Sequence, residues 1–379
     1  MPSCLPFKWP SRTAGASRPS GTQTHNDTPS SEPRSRLNSP SPLAGLRERP
    51  ARLASAQSTS PHRASPPSSA RGSLHQLPLV KQLASQLSPA QTKLIGLARW
   101  PDPSINQETS PQQQAYGQAF SAQCVRQAQD LGNGKLKNLD DLWNSSRVWR
   151  AQEAQKSSHP RAPLFGQSRA DRQGGCHDTC MDNNYAYMGP MVLQAKGLSE
   201  VSSAEASFHP SFGHDQIKSF TQYEGAIPLT RLDVLVNHRN QSKAQMCSLK
   251  GEAMPAFMTG MMTHTAAQHI SALQAKAQNL FKTTMESPDL TQQQRLENLA
   301  EIHFLLAHAM PDERGSAAKT EMVVRSMALA LDMELPPTKP GKVLDLEAFM
   351  QIKADFKAGY AAQFEWANDA VSKPLKAGA

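Results

Sequence analysis

The chain of 379 residues is poor in the residues that build a hydrophobic core, and it is poor in cysteine. Only 38% of the residues are hydrophobic and 6% are aromatic, so part of the chain is expected to stay unfolded. Five cysteines are too few, and odd in number, for a disulfide scaffold. Because no apolar run reaches the length of about 18 residues that a membrane-spanning helix needs, no such helix is expected.

Positive charge is concentrated in the first 75 residues. This segment contains ten Lys or Arg residues against three acids, and it is rich in Ser and Pro. Such a composition cannot bury enough apolar surface to offset the entropy lost on ordering, so residues 1–75 are predicted to form a disordered leader for secretion or interaction. The later residues show no clustered basic face, and DNA is therefore not an expected partner.

The leader has two further interpretations. Many Arg and Ser residues with few acids are typical of organelle transit peptides, although the 29 prolines of the chain, many of them here, oppose an amphipathic import helix. The leader also resembles those of type III effectors, which plant-pathogenic bacteria deliver into host cells. This resemblance implies a secreted virulence protein with a host protein as its target and a secretion chaperone as a second partner.

Beyond the leader, hydrophobic periodicity predicts a mostly α fold. Residues 76–173 are predicted to be a partly helical linker region, and residues 174–379 a mostly α domain. The alternation over residues 227–236 predicts a strand of a small β-hairpin. A period of three to four residues predicts a helical bundle that contains a helix–loop–helix hairpin, with helices over 263–284, 291–309, 316–331 and about 346–370.

Helix boundary signals define the hairpin. Thr291 and Gln294 have the spacing of a capping box, which begins a helix. Pro311 ends that helix, and Ser316 can cap the next one. The sequence therefore predicts a short polar loop between two helices.

The residues of this loop are suited to phosphoryl chemistry. His308 is a candidate general base, because histidine titrates near physiological pH. Asp312 is a candidate ligand of a divalent metal that bridges phosphates. Arg314 is a candidate for neutralising a transferring phosphoryl group. The free N–H groups of the helix that follows are candidate phosphate donors.

The loop resembles the Fic family motif, His-Pro-Phe-x-Asp/Glu-Gly-Asn-Gly-Arg, which joins two helices of an α bundle. Aligned without gaps, His308 matches the histidine, Asp312 the acid and Gly315 the second glycine. The resemblance implies transfer of a nucleotide or phosphate group from ATP or another nucleotide, with Mg²⁺, to a host-protein hydroxyl that His308 deprotonates. It places Gly315, Ser316 and Lys319 at the cofactor.

Five positions depart from the Fic motif. Ala309 and Met310 stand at the proline and phenylalanine positions, where Met310 is an apolar substitute, and the other three departures bear on phosphate binding. Glu313 replaces the first glycine, where a bulky acid would crowd and repel a nucleotide phosphate. Arg314 replaces the asparagine, and Ser316 replaces the terminal arginine that binds phosphate. Arg314 would then have to supply the missing positive charge from a shifted position.

A second candidate site surrounds Cys176, which follows two glycines in a turn-rich segment. A thiol nucleophile there, with His209, His214 or His238 as its base, predicts a cysteine-dependent hydrolase or acyltransferase. Cys176 and Cys180 also have the spacing of a zinc ligand pair. A third alternative is an effector without catalytic activity that acts only by binding host proteins.

Overall fold

The computed structural model describes residues 87–366 with several gaps. The predicted leader, Cys176 and its three candidate bases all lie outside the described residues, as do most of residues 76–87. In full, the residues outside the description are 1–86, 103–105, 107, 171–177, 182–184, 186, 202–204, 206–215, 237–247, 250–251, 254–258 and 367–379.

Helices dominate the described residues, as the sequence predicts for this fold class. A short 3-10 helix, Ala162–Gly166, follows the third α-helix. The helices in chain order are α1 Pro89–Thr92, α2 Pro111–Gly132, α3 Leu139–Lys156, α4 Met188–Val192, α5 Ile270–Glu286, α6 Gln292–Ala309, α7 Ser316–Ala330, α8 Leu344–Met350 and α9 Lys353–Gly359.

The β structure is larger than the predicted hairpin. A five-stranded antiparallel sheet has the strand order β1-β9-β6-β3-β2, and β4–β5 and β7–β8 form two small hairpins. The predicted strand over 227–236 is present as β5 and β6. The strands are β1 Asp178–Cys180, β2 Ser199–Val201, β3 Ile217–Phe220, β4 Tyr223–Glu224, β5 Ile227–Pro228, β6 Arg231–Leu235, β7 Ser248–Leu249, β8 Glu252–Ala253 and β9 Gly260–Thr263.

The main hydrophobic core surrounds α6. From Leu299 to Ala309 this helix is buried at every position except the partly exposed Glu301, because α5, α7, α8 and α9 all pack against it. One face of the sheet closes the same core through Leu232, Val234 and Met262. A helix that is apolar on all sides belongs in the centre of a bundle, and α6 has that place.

A smaller core joins α2 and α3 to α7. Phe120, Trp149 and Met322 contribute to it from the three helices. Gln127 connects the same helices by donating to Ser146 Oγ at 3.0 Å and accepting from Ser326 Oγ at 2.8 Å. The segment interpreted as a partly helical linker, residues 76–173, thus supplies two long helices that pack on the bundle.

The boundaries of the helical hairpin confirm the sequence prediction. Thr291 Oγ1 accepts from the N–H of Gln294, whose side chain accepts from the Thr291 N–H, so the capping box is formed. Pro311 follows the end of α6 directly, and α7 begins at Ser316. Among the described residues, no helix is long and apolar enough to cross a membrane.

Two predicted helices were wrong in extent. The helix over 263–284 begins only at Ile270, since Gly260–Thr263 pairs with β6 as strand β9. The last predicted helix is two short helices, α8 and α9, separated by Gln351 and Ile352, both in extended conformation. Strand pairing in the first case and an extended two-residue break in the second override the apolar periodicity.

Gly117 provides a test of the packing of α2 against the segment after α1. A Cβ atom on Gly117 would lie 2.1 Å from the Lys93 carbonyl oxygen. We expect Gly117→Ala to lower the free energy of unfolding by about 1–3 kcal/mol, because overpacking outweighs the higher helix propensity of alanine. Urea denaturation measures the change.

Gly166 is the matched control, since its Cβ would meet its nearest neighbour, Ala151 Cβ, at 3.7 Å. Gly166→Ala should change the free energy of unfolding by less than about 0.5 kcal/mol. Equal losses in the two variants would contradict the close approach at Gly117.

Candidate functional site

The α6–α7 loop, residues 310–315, begins with a left-handed residue. Met310 has φ 41° and ψ 65° and ends α6 directly before Pro311. The buried guanidinium of Arg169 donates to the carbonyls of Ala309 at 3.2 Å and Met310 at 3.1 Å, and to Thr265 O at 2.8 Å. A cation at the carbonyl end of a helix is stabilised by the helix dipole, so Arg169 fixes where the loop starts.

Backbone pairing holds the next part of the loop. Residues 167–169 lie antiparallel to residues 311–313, with a β-bridge between Ser168 and Asp312. The Arg169 N–H donates to Pro311 O at 2.8 Å, and the Glu313 N–H donates to Gln167 O at 3.0 Å. The loop is therefore held in one conformation by the chain that follows the 3-10 helix.

Asp312 is the centre of a buried ion-pair network. Its carboxylate is fully buried and accepts from Lys319 Nζ at 2.5 Å. Arg147 of α3 donates to both carboxylate oxygens, through Nε at 3.0 and 3.1 Å and through Nη2 at 2.7 Å. Such a two-pronged guanidinium contact is among the stronger ion pairs in proteins. The network connects α3, the loop and α7.

The remaining donors of Lys319 bind carbonyl groups. Its Nζ donates to Phe165 O at 2.6 Å and to Arg314 O at 2.9 Å. An ammonium has three donors, so all of them are used inside the protein. Burial lowers the pKa of Lys319 to about 8, although Asp312 opposes this shift.

The predicted cofactor and metal roles at this network stay predictions, and the geometry does not favour them. A divalent metal at Asp312 would have to displace Lys319 or Arg147 from the carboxylate. Ser316 Oγ is engaged by the backbone of Asp312, accepting from N and donating to O at 3.0 Å each. Gly315 has φ +72°, and its absent Cβ leaves space for the ring of Phe165. No group of three potential metal-binding side chains occurs among the described residues.

His308 lies in the core and faces away from solvent. Its Nδ1 accepts the Thr230 N–H at 3.1 Å, and its Nε2 lies 3.2 Å from Ala348 O. Since a carbonyl can only accept, Nε2 carries the proton and the ring is neutral. Burial lowers the pKa of His308 to about 3. Its predicted role as a general base stays a prediction, and in this conformation neither ring nitrogen is free to take a proton from a bound hydroxyl.

Positive charge accumulates on the outer side of the loop. We define the loop cation cluster as Arg150, Arg161 and Arg314. Burial and the neighbouring Arg161 lower the pKa of Arg314. The pKa of His159 beside them is lowered by burial and then by all three guanidiniums. The carboxylate of Glu313 attracts the charge of Arg314 and partly opposes this lowering of the Arg314 pKa.

Within the loop cation cluster, the side chain of Arg314 is accessible to a ligand. It is half-buried, and within the described ranges no hydrogen bond or ion pair of its guanidinium is observed. Arg150 instead stacks on the Phe165 ring, with its central carbon 4.3 Å from the ring centroid. Of the residues predicted at this site, Arg314 alone combines partial exposure with an uncommitted charged group.

Sequence reasoning missed the residues that support the loop from outside. Arg147, Arg150, Arg161 and Arg169 lie in or beside a segment interpreted as helix followed by linker. The available signal was the number of arginines in this segment. A linker that contacts nothing would leave so many guanidiniums without partners, so their density indicates a segment that packs on the rest of the chain. The acid that Arg147 meets and the carbonyls that Arg169 meets were not readable, since these partners are more than 90 residues away in the chain.

The buried histidines predict sensitivity to mild acid. His303 resembles His308, with Nδ1 3.0 Å from Tyr360 Oη and a pKa that burial lowers to about 3. Between pH 6.5 and 3 the unfolded chain binds protons that the folded chain excludes, so stability falls as pH falls. Each histidine should contribute a slope of about 1.4 kcal/mol per pH unit.

Urea denaturation between pH 7.5 and 5 measures this slope, and His303→Gln should reduce it by about half over that range. A free energy of unfolding that does not change between pH 6.5 and 5 would contradict the neutral, buried state of both rings.

The ion-pair network predicts a specific pattern of stability losses. Lys319→Met should lower the free energy of unfolding by about 3–5 kcal/mol, because it leaves Asp312 underpaired and two carbonyls without donors. Adding Asp312→Leu to Lys319→Met should recover part of this loss. Urea denaturation of the two variants tests it. Equal instability of both would contradict the ion pair as the origin of the loss, and a rise in the melting temperature of the wild-type chain with Mg²⁺ would favour a metal site instead.

Comparisons with known proteins agree with an effector and extend over the whole described fold. The AvrB_AvrC family, described as avirulence protein, matches residues 46–367. The chain is also similar to avirulence protein B of Pseudomonas savastanoi pv. glycinea, with 27% identity over 278 residues, covering 70% of this chain and 84% of that protein. These matches support a plant-pathogen effector and do not support the Fic assignment. The chain belongs to the AvrB/AvrC family of avirulence proteins.

Proposed function

We propose that this chain is a secreted bacterial effector that acts on a plant host protein and holds a phosphate-bearing nucleotide at the loop cation cluster. Family membership supports the first part, because the matched relative is an avirulence protein of a plant pathogen. The open guanidinium of Arg314 supports the second part. Its neighbours Arg150 and Arg161 add charge of the same sign.

Electrostatics is the observation that carries the nucleotide proposal. Like charges held together are unfavourable unless an anion joins them. Burial is the main cause that lowers the pKa of Arg314 and of His159, and the neighbouring guanidiniums lower both further, while Glu313 opposes the shift of Arg314. A phosphate placed between Arg314 and Arg161 would relieve this repulsion and accept charge-assisted hydrogen bonds. The N-terminus of α7, which follows Gly315, adds a positive dipole end nearby.

Transfer of the nucleotide or phosphate group to a host hydroxyl is the finer part of the proposal. In such a step the hydroxyl oxygen forms a bond to phosphorus, the bond to the leaving phosphate breaks, and the hydroxyl proton needs an acceptor. Arg314 would stabilise the charge on the phosphoryl oxygens. His308 could accept the proton only after losing its bond from the Thr230 N–H.

Host-protein binding without catalysis is the second candidate. It is favoured by the state of His308, because the predicted base is neutral, buried and bonded at both nitrogens. In this case the loop network serves to stabilise the fold, and a nucleotide at Arg314 would act as a ligand and not as a substrate. The thiol chemistry predicted for Cys176 is a further alternative that lies outside the described residues.

Arg314→Ala tests the nucleotide site. Removal of a guanidinium that binds phosphate should weaken the affinity for ADP or ATP by about 10–100-fold. This factor corresponds to the free energy of one hydrogen bond to a charged group. Titration calorimetry of the full chain with ADP, ATP and inorganic phosphate measures this, and the affinity should fall as salt increases. An unchanged affinity of Arg314→Ala for these ligands would overturn the proposed nucleotide site.

Lys282→Ala is the matched control, since it removes one positive charge from an exposed position on α5. It should leave the affinity for nucleotide within about twofold of the wild-type value. The transfer step is tested separately with labelled ATP and UTP in host extract. Labelling of a host protein by the wild-type chain but not by Arg314→Ala supports transfer, whereas binding without labelling supports the second candidate.

A further inference from the structure

A groove between α2 and α3 is separate from the loop cation cluster and has the features of a peptide-binding surface. It is a wide, largely open depression of about 870 Å³, lined by residues of both helices and the turn between them. An open groove of this kind suits an extended segment of a partner. Val148, on its α3 side, is 57% exposed, and the half-buried Leu136 adds a second apolar side chain.

An unsatisfied acceptor lies at the floor of this groove. Gln123 is 5% exposed, and its Oε1 has no hydrogen-bond partner among the described residues. A buried acceptor without a donor is unfavourable, and such atoms are rare in native proteins. The terminal torsion of glutamine is soft, so a small rotation directs the amide into the groove. A ligand with an N–H group would supply the missing donor.

The charges of the groove favour an acidic ligand. Lys135 is paired with Asp130 at 3.1 Å, and both are therefore neutralised locally. Asp141 Oδ2 accepts from the backbone N–H of Lys137 at 2.9 Å. The ammonium of Lys137 and the exposed guanidinium of Arg126 remain. Arg126 and Lys137 thus flank a groove whose one remaining carboxylate, Asp141, is directed to the chain's own backbone, and the lining keeps an excess of one positive charge, three cations against two carboxylates.

We propose that the α2–α3 groove binds an acidic peptide segment of a partner protein. An aliphatic side chain of the segment packs on Val148, and a backbone N–H of the segment donates to Oε1 of Gln123. Acidic side chains of the segment pair with Arg126 and Lys137. The chain's own leader has the wrong charge for this role, since residues 1–75 contain ten basic and three acidic residues. The combination of apolar contact, charge and main-chain donor is met by a polypeptide.

The first experiment uses an array of immobilised seven-residue peptides and the full-length chain. Each peptide carries a central leucine flanked by glutamates, and matched peptides have lysine for glutamate or serine for leucine. Binding should require both the leucine and at least one glutamate, and fluorescence anisotropy then gives the affinity of the best peptide. Equal retention of the lysine peptides would overturn the proposal.

Paired variants locate the binding to the groove. Val148→Asp should weaken the peptide affinity at least about tenfold, whereas Met191→Asp, at an exposed position on α4, should not. Arg126→Glu should shift the preference from glutamate to lysine peptides, and Lys282→Glu should leave it unchanged. Equal effects within either pair would overturn the assignment to the groove.

Gln123→Leu distinguishes a binding role from a purely structural one. Replacement of an unpaired buried amide by an apolar group should raise the stability of the free chain, while the affinity for the peptide falls severalfold. A loss of stability, or unchanged peptide affinity, would contradict the proposed role of Gln123. Sedimentation of the wild-type chain completes the test, because a dimer disrupted by Val148→Asp would identify a second copy as the occupant and overturn the peptide proposal.

Discussion

The ion pair of Asp312 and Lys319 is the constraint on which the α6–α7 loop depends. Both groups are fully buried, and burial of single charges would be strongly unfavourable. The pair is retained because each partner is satisfied completely: Lys319 binds two carbonyls as well, and Arg147 binds both oxygens of Asp312. Helix α3 and the 3-10 helix, which follow each other closely in sequence, thereby meet the distant α7 at one ion pair.

This network has consequences for function, because it occupies the place where the Fic resemblance puts nucleotide and metal. The acid, the lysine and the serine of the loop are bonded to one another or to backbone groups. The loop cation cluster lies beside this network, and its guanidiniums give that side of the loop a positive charge. The backbone of Arg314 is fixed, since its carbonyl accepts from Lys319, while its side chain extends beyond the network. A rigid main chain with a free guanidinium is a good arrangement for anion recognition, because little entropy is lost on binding.

Local signals in the sequence were sufficient for the helical hairpin, and non-local pairing explains what they missed. The capping box at Thr291 and the break at Pro311 are decided within a few residues, so both could be read directly. The start of α5 could not, because Gly260–Thr263 becomes a strand by pairing with β6 and β1. The burial of His308 had a readable signal: the stretch 304–309 is apolar on every side of the helix apart from this histidine, which predicts a central helix better than a catalytic one. The partners of the arginines in α3 had no local signal at all.

Helix α3 shows how one element contributes to two kinds of surface. Successive residues on a helix are separated by about 100°, so Arg147 faces the loop network while Val148 faces the groove with α2. The side chain of Arg147 is fixed by the buried carboxylate of Asp312, whereas the side chain of Val148 is exposed to solvent. An unsatisfied buried glutamine is unfavourable for the free protein, and so is a group of guanidiniums that outnumbers the one loop carboxylate facing it, Glu313. Both features are unexplained by stability alone. Each becomes favourable when a ligand of the matching chemistry is present, an anion at Arg314 and an acidic peptide at Val148.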